Sequence, residues 1–265
     1  MKIPGRRPSD YLKNLGRIHK YMWYCLKCLF LFKRPFSLLY HYFTLRPPRH
    51  TVVELRSGLR IFLSGHAHDL ITIFLIFVRE DYGQIQPGSI VIDIGANIGV
   101  FGLYAAHHQA RRVYAYEPNT QSYQWLLRNI AENHLDQVIL PHQLAVSRKA
   151  GEVVRFPTQA SPYNAILTGE TTADCELVTT TDLSSILGDH GLESVDLLKL
   201  DCEGAEHDII LHTSEVVWRR IHNLRMEYHH GQPDPLMAAL QARHFKLTAF
   251  RQDTPTSGNM WFRQV

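Results

Sequence analysis

From residue 90 onward, short apolar runs alternate with amphipathic stretches, and this alternation constrains the fold more than any other feature of the sequence. Apolar runs of four to eight residues are typical of buried strands, and the stretches between them carry helical spacing. The predicted strands are 90–94, 113–116, 138–143, 195–200, 224–228, 245–250 and 260–262, and the predicted helices are 98–108, 120–134, 205–220 and 235–244. This α/β alternation favours a mainly parallel sheet with helices on both faces.

Two segments predict hairpins. The last two strands are joined by a loop that contains Pro255 and Gly258 and no helical pattern, so we expect an antiparallel hairpin at one edge of the sheet. Residues 51–63 alternate around a Ser57-Gly58 turn and predict a second hairpin, which a buried helix at 69–78 follows.

The first 49 residues differ from the rest in charge. They hold 11 Lys or Arg and one acid, Asp10, whereas the whole chain carries a net charge of +3, which leaves −7 on the remainder. Because the net positive charge is confined to this segment, we expect no chain-wide nucleic-acid surface. We therefore divide the chain into a basic, aromatic-rich helical extension, 1–49, and a main domain, 50–265.

The extension predicts two helices. Apolar residues recur at helical spacing before Pro35, and residues 36–45 predict a second, shorter helix. The members of the first apolar row are Leu15, Ile18, Met22, Leu26 and Leu29. Two interpretations stay open: the apolar face packs on the main domain, or residues 1–45 lie on an anionic membrane as a basic amphipathic anchor.

Two further features of the sequence, its longest apolar run near the N-terminus and its cysteines, predict the cellular compartment. The apolar run 21–32 contains Lys27 and is shorter than the roughly 20 residues that a transmembrane helix needs. Four cysteines form no disulfide framework, and Cys25 and Cys28 lack the further ligands of a zinc site. We expect a reducing, cytoplasmic location, with peripheral membrane contact as the open alternative.

A glycine loop at residues 93–99, Asp-Ile-Gly-Ala-Asn-Ile-Gly, joins the first strand of the sheet to the next helix. Glycine permits the tight turn and the close approach of a ligand to the backbone. The spacing differs from the Gly-x-Gly-x-x-Gly of dinucleotide-binding proteins, and an acid two residues before the first glycine suits a cofactor with a cationic amino group. The loop therefore favours S-adenosylmethionine, with Gly95, Ala96, Asn97 and Gly99 along its methionine portion and Asp93 near its amino group.

Glu117, about 20 residues after the loop, ends the next strand. A carboxylate at this position can accept hydrogen bonds from both hydroxyls of an adenosyl ribose, whether the cofactor is S-adenosylmethionine or a dinucleotide. Pro118 and Asn119 are expected to flank the adenine. By analogy with sheets of this kind, residues 142–147, including His142 and Ala145, are expected at the adenine edge.

Charged residues end two later strands. Lys199 lies in one strand, which Asp201, Glu203 and Glu206 follow, and Glu227 and His229 close the next. Buried charges of this kind are costly unless the strand ends face a wet or ligand-filled crevice, which is where open α/β sheets bind ligands. If the two strands are neighbours in the sheet, both sets of charged residues lie at the same rim of this crevice.

With these residues in view, the sequence resembles the FkbM family of methyltransferases. The matching strings are Asp-Ile-Gly-Ala-Asn-Ile-Gly, Glu-Pro-Asn, Leu-Lys-Leu-Asp-x-Glu-Gly-Ala-Glu and a strand-final Glu-Tyr-His, over roughly residues 50–262. The resemblance implies a class I methyltransferase fold, which is Rossmann-like with a mostly parallel seven-stranded sheet. It also implies methyl transfer from S-adenosylmethionine to a hydroxyl, often on a sugar, glycolipid or polyketide.

Transfer to an alcohol requires a group that accepts the hydroxyl proton. The candidates are Asp201, Glu203, Glu227 and His229; we favour Asp201 or Glu203, with His229 as the alternative base and Lys199 in an orienting role. The spacing of potential ligands does not demand a metal. Two other functions stay open, a nicotinamide-dependent oxidoreductase and a catalytically silent module tethered to a membrane. The sequence does not determine the acceptor or the oligomeric state.

Overall fold

The computed structural model describes residues 18–44, 46, 50–159, 164–167, 174–229 and 231–265. Its helices are α1 (Ile18–Leu31), α2 (Pro35–Thr44), α3 (Ala67–Ile73, continued by a π-helical turn Phe74–Val78), α4 (Val100–His107), α5 (Thr120–Glu132), α6 (Leu183–Asp189), α7 (Ala205–His212), α8 (Glu215–Trp218) and α9 (Pro233–Gln241). Its strands are β1 (Val52–Glu54), β2 (Arg60–Phe62), β3 (Ile90–Ile94), β4 (Arg112–Tyr116), β5 (Ile139–His142), β6 (Ala145–Val146), β7 (Val153–Pro157), β8 (Cys175–Thr181), β9 (Leu197–Leu200), β10 (Asn223–Tyr228), β11 (Phe245–Thr254) and β12 (Ser257–Gln264).

A seven-stranded sheet organises the fold, in the order β11-β12-β10-β9-β3-β4-β5. Strands β5, β4, β3, β9 and β10 are parallel, and β12 is antiparallel to both β10 and β11. The class I, Rossmann-like fold and the edge hairpin are thereby confirmed. The chain order reverses between β3 and β9, and ligands of open α/β sheets bind at such a switch point.

Both faces of this sheet are buried, which explains the continuous apolar strands. On β3, Val91 faces one core with side chains of α3, α4 and α5, whereas Ile92 faces a second core with side chains of α6, α7, α8 and α9. Alternate residues of one strand thus need apolar partners on opposite sides.

The pattern of the sequence did not predict a second sheet of three strands, in the order β6-β8-β7. Strands β7 and β8 are half exposed, with Val153 and Leu177 on the surface, so the apolar pattern of a buried strand is absent, and β6 has only two residues. The pattern also did not predict α6, and it predicted one helix over 205–220 where the chain forms α7 and α8. Thr213 and Ser214 adopt extended backbone between the two helices, as residues whose hydroxyls compete with helical hydrogen bonds often do.

The extension packs on the main domain, although through a different row of α1 from the predicted one. Cys28 and Phe32 are fully buried, and the Tyr24 ring lies 6.0 Å from the ring of Phe74 on α3. From the predicted row, Met22, Leu26 and Leu29 are exposed, and Leu15 lies outside the described residues. Within the described part of the chain, no helix is long and apolar enough to cross a bilayer.

The predicted hairpin β1–β2 forms, and Asn129 of α5 attaches it to the domain. The buried Asn129 amide accepts a hydrogen bond from Phe62 N at 2.7 Å and donates to Phe62 O at 3.0 Å. It also donates to Ile98 O at 2.8 Å, so the same side chain holds the glycine loop.

We expect Asn129→Ala to lower the free energy of unfolding by about 3 kcal/mol, because it leaves buried backbone groups of Phe62 and Ile98 without partners. Urea unfolding measures the change. Gln124→Ala, at an exposed position of the same helix, is the control and should change stability by less than about 0.5 kcal/mol. Equal stabilities of the two variants would contradict this role of Asn129.

Candidate active site

A cleft of about 320 Å³ lies at the carboxyl ends of β3, β4, β9 and β10. It brings together most of the residues that the sequence nominated. Those that line it are Gly95, Ala96, Asn97, Glu117, Pro118, Ala145, Lys199, Asp201, Glu203, Glu227 and His229. The glycine loop and the acidic strand ends therefore share one site.

Four residues that were expected to contact the cofactor do not line the cleft itself. Gly99 begins α4 and lies against Leu126, and Asn119 caps α5 by accepting a hydrogen bond from Ser122 N at 2.9 Å. Asp93 is fully buried beneath the loop. The fourth, His142, stacks on Tyr116 with ring centroids 4.8 Å apart.

The glycine loop turns sharply because of its backbone angles. Gly95 has φ +76° and Asn97 has φ +50°, both in the left-handed region. The amides of Gly95 and Ala96 both donate to Tyr116 O at 3.0 Å, which fixes the loop to the end of β4. A β-carbon at Gly95 would overlap the carbonyl oxygen of Asp201, so only glycine lets the ends of β3 and β9 approach this closely.

Glu117 is 6% exposed and faces the cleft. Its two carboxylate oxygens accept hydrogen bonds from Asn97 N at 2.7 Å and Asn119 N at 2.9 Å. Burial raises the pKa of Glu117 to about 7, against the opposing effect of these amide donors. Each oxygen retains a lone pair, so the carboxylate can still accept from the hydroxyls of a ligand.

Lys199 and Asp93 form a buried ion pair beneath the loop. The Lys199 ammonium lies 3.0 Å from Asp93 Oδ1 and donates to Gly95 O at 2.7 Å. Burial favours the neutral amine, but Asp93 and Asp201 outweigh it and raise the pKa of Lys199. The Lys199 ammonium therefore connects the glycine loop to Asp201, whose Oδ2 lies 3.7 Å from Lys199 Nζ.

Tyr82 is a site residue that the sequence analysis missed. Its buried hydroxyl donates to Asp201 Oδ2 at 2.8 Å and so fixes that carboxylate at the cleft. Burial, together with the charge of Asp201, raises the pKa of Tyr82, which keeps the hydroxyl protonated. Tyr82 lies between α3 and β3 in no recognisable motif, so no local signal marked it.

Glu203, Glu206 and His229 form a second charged group at the rim. His229 Nδ1 lies 3.1 Å from Glu206 Oε1, and its Nε2 lies 3.5 Å from Glu203 Oε1. Burial opposes the charge on His229, but hydrogen bonds to Glu206 and Glu227 outweigh it and raise its pKa to about 11. His229 is therefore a stable cation near neutral pH, which argues against its expected role as the alternative base.

Glu206 and Glu203 differ in function within that group. Glu206 is fully buried and accepts hydrogen bonds from Cys202 N at 2.8 Å and Gly204 N at 2.7 Å, so it holds the turn before α7. Glu203 lies on this turn with φ +52°, a strained conformation for a residue other than glycine. Burial raises the pKa of Glu203 to about 7, which suits a group that exchanges protons at neutral pH. The motif Glu-Gly-x-Glu was the available signal for Glu206.

Asp201, Glu227 and His229 could together hold a cation. Each offers one ligand atom, and these atoms lie within 4.8 Å of one another, although spacing in the sequence gave no hint of this. Asp201 follows β9, whereas Glu227 and His229 lie at the end of β10, so the group forms only in the folded chain. With His229 protonated, its imidazolium already supplies positive charge among the carboxylates.

Much of the remaining wall of the cleft is apolar and includes residues outside the sequence motifs. Helix α3 and the three-stranded sheet supply most of it. The apolar residues are Ile71, Leu75, Ile76, Leu144, Val146, Phe156 and Ile166. The cleft can therefore accommodate a ligand with both charged and apolar parts.

Comparisons with known proteins show that this chain is similar to methyltransferases. A family model, the FkbM methyltransferase domain, matches residues 93–247, more than half of the chain. The methyltransferase sdnD of Sordaria araneosa is 28% identical over 206 residues, covering 65% of this chain and 80% of that protein. The 31-O-demethyl-FK506 methyltransferase FkbM of Streptomyces tacrolimicus is 25% identical over 197 residues, covering 63% and 76% of the two chains.

Among solved structures, methyltransferase FkbM from Methylobacillus flagellatus KT aligns with a TM-score of 0.48 at 15% identity. The alignment covers 96% of this chain and 60% of that one. TrmK from M. capricolum, solved with S-adenosylhomocysteine, aligns with a TM-score of 0.43 at 11% identity, covering 70% of this chain and 66% of that one.

We expect Gly95→Ala to lower the free energy of unfolding by about 3 kcal/mol or more, because the added methyl group meets the Asp201 carbonyl as well as an unfavourable φ. Urea unfolding measures this loss. Gly151→Ala is a matched control, since Gly151 has φ +79° and no atom near the added carbon. It should cost about 1–2 kcal/mol, and an equal loss in both variants would refute the steric argument.

Proposed function

The chain belongs to the FkbM family of methyltransferases, and on that premise we propose that it transfers a methyl group from S-adenosylmethionine to a hydroxyl oxygen. The acceptor class that we propose is a sugar, a glycolipid or glycan, or a related small molecule. One observation carries this proposal: the glycine loop, Glu117 and the acidic rim of Asp201, Glu203 and Glu227 line a single cleft.

The described residues fit S-adenosylmethionine. Glu117 offers the ribose hydroxyls a buried carboxylate, and Pro118, Ala145 and Val146 provide an apolar bed for the adenine. Lys199 is paired with Asp93, so it does not oppose the binding of a cation in the cleft. The acidic rim favours a donor that carries a positive sulfonium. In this assignment Asp93 supports the glycine loop indirectly, because it holds Lys199, which donates a hydrogen bond to Gly95 O.

When bound, S-adenosylmethionine supplies an electrophilic methyl group and leaves as a neutral thioether. The protein holds the acceptor hydroxyl near the methyl carbon and removes its proton. Positioning of this kind contributes roughly 7–11 kcal/mol to lowering a barrier. The rest of the chemistry therefore depends on the group that receives the proton.

We assign that role to Glu203. Its side chain lines the cleft, and its pKa of about 7 lets it be ionised before transfer and protonated after it. His229 and Glu206 hold the Glu203 turn, whereas Asp201, fixed by Tyr82, faces the same space and orients the acceptor. The rate is then expected to rise with pH through about 7, because only the carboxylate form of Glu203 accepts a proton.

For Glu117, we expect the affinity for S-adenosylhomocysteine to rise as pH is raised through about 7, because the ionised carboxylate accepts the ribose hydroxyls more strongly. Glu117→Gln should weaken binding about tenfold above that pH and flatten the profile. Isothermal titration calorimetry at several pH values measures both effects. An unchanged profile in the variant, or binding of a nicotinamide dinucleotide in place of the S-adenosyl compounds, would overturn the cofactor assignment.

For the acceptor, we expect radiolabelled methyl groups to enter the glycan or lipid pool when the protein, labelled S-adenosylmethionine and a cell extract are incubated and fractionated. Glu203→Gln should lower the rate of methyl transfer by about 100-fold or more, because it removes the proton acceptor, and it should leave the affinity for S-adenosylhomocysteine, whose sulfur is uncharged, unchanged. Glu193→Gln, at an exposed site, is the control.

Label confined to protein would refute the proposed acceptor class. Full activity of Glu203→Gln would refute its assignment as the base. Loss of labelling in EDTA, restored by Mg²⁺, would show that the Asp201, Glu227 and His229 group works with a metal ion.

A further inference from the structure

Helices α1 and α2 each present a contiguous apolar face to solvent. On α1 the face is formed by Met22, Trp23, Leu26, Leu29 and Phe30, which lie within an arc of about 120° at 100° per residue. On α2 it is formed by Phe36, Tyr40 and Phe43. We call these eight residues the aromatic face.

The aromatic face is exposed to a degree that is unusual for such side chains. Phe30 is 77% exposed, Phe36 74%, Trp23 61% and Phe43 62%. These residues do not hold the helices to the domain, since Tyr24, Cys28, Phe32 and Leu38 do that from the other side. An apolar surface of this kind marks an interaction site.

The charge around the aromatic face identifies the partner. The sequence contains no acidic residue between Asp10 and Glu54, although it contains eight Lys or Arg there. Lys20, Arg34 and Arg46 are exposed on or next to the two helices, and Lys33 is half exposed beside Glu54, with which it forms an ion pair at 3.0 Å. Basic side chains around exposed Trp, Phe and Tyr are typical of segments that lie in the interface of an anionic bilayer.

We propose that the aromatic face docks this protein onto an anionic lipid bilayer, with α1 and α2 lying in the plane of the membrane. Trp23, Phe30 and Phe36 enter the boundary between headgroups and acyl chains, and the basic side chains contact the lipid phosphates. Helix α1 has 14 residues, too few to cross the hydrocarbon core.

The docked helices are next to the cleft. Phe74 of α3 stacks on Tyr42 of α2, with ring centroids 3.8 Å apart, while Ile71 and Leu75 of the same helix line the cleft. Helix α3 therefore connects the docked helices to the cleft, and none of the eight residues of the aromatic face lines the cleft. The docking does not depend on methyl transfer, so each can fail without the other.

Vesicle flotation with the full-length chain tests the proposal. We expect binding to phosphatidylcholine vesicles that contain phosphatidylserine, weaker binding to pure phosphatidylcholine, and a loss of binding as salt is raised. The double variant Phe30→Ser/Phe36→Ser should lower the partition coefficient between vesicle and water at least about tenfold, because it removes two phenyl rings that insert into the membrane.

The matched control removes two exposed apolar side chains elsewhere, Leu177→Ser and Val216→Ser, at positions that are 73% and 63% exposed. It should bind like the unmodified chain, and thermal melts should show both double variants folded, since none of the four side chains is buried. Failure of the unmodified chain to float with anionic vesicles would overturn the proposal. So would equal binding of the two double variants, or light scattering that shows the aromatic face closing a dimer.

Discussion

The buried ion pair of Lys199 and Asp93 is the interaction on which the rest of the site depends. With side chains 3% and 0% exposed, the two charges cannot be solvated by water, so each is tolerable only because of the other. Lys199 extends the pair to the Gly95 carbonyl and towards Asp201. Removal of one partner from such a pair typically costs about 3–5 kcal/mol, and here it would release the loop and the rim together.

This arrangement separates two kinds of carboxylate at one sheet edge. Asp93 and Glu206 are fully buried and hold cations and backbone amides in place. Glu117 and Glu203 face the cleft with pKa values of about 7, raised by burial. Position relative to the cleft, and not residue type, decides which acids support the structure and which are available to ligands. His229 contacts one carboxylate of each kind, Glu206 and Glu203, and its charge partly offsets the rise that burial causes in the pKa of Glu203.

The extension illustrates a limit of pattern analysis. The row of Met22, Leu26 and Leu29 has helical spacing, and so does the row of Tyr24, Cys28 and Phe32 that packs on the domain. When two rows of one helix are apolar, periodicity indicates the helix and leaves open which row is buried. Packing between side chains decides which row is buried, because the rings of Tyr24 on α1 and Tyr42 on α2 both contact Phe74.

The sequence by itself determined the succession of the seven main-sheet strands along the chain and the residues at their ends, because a sheet buried on both faces requires apolar strands and a local turn chemistry. It thereby placed the glycine loop, Glu117 and Asp201 at one edge. Only the tertiary structure decided which side chains meet. Tyr82 bonds Asp201 across 119 positions, and Glu206 meets His229 across 23. Such contacts depend on strand register and on packing between distant segments, and no local pattern encodes either.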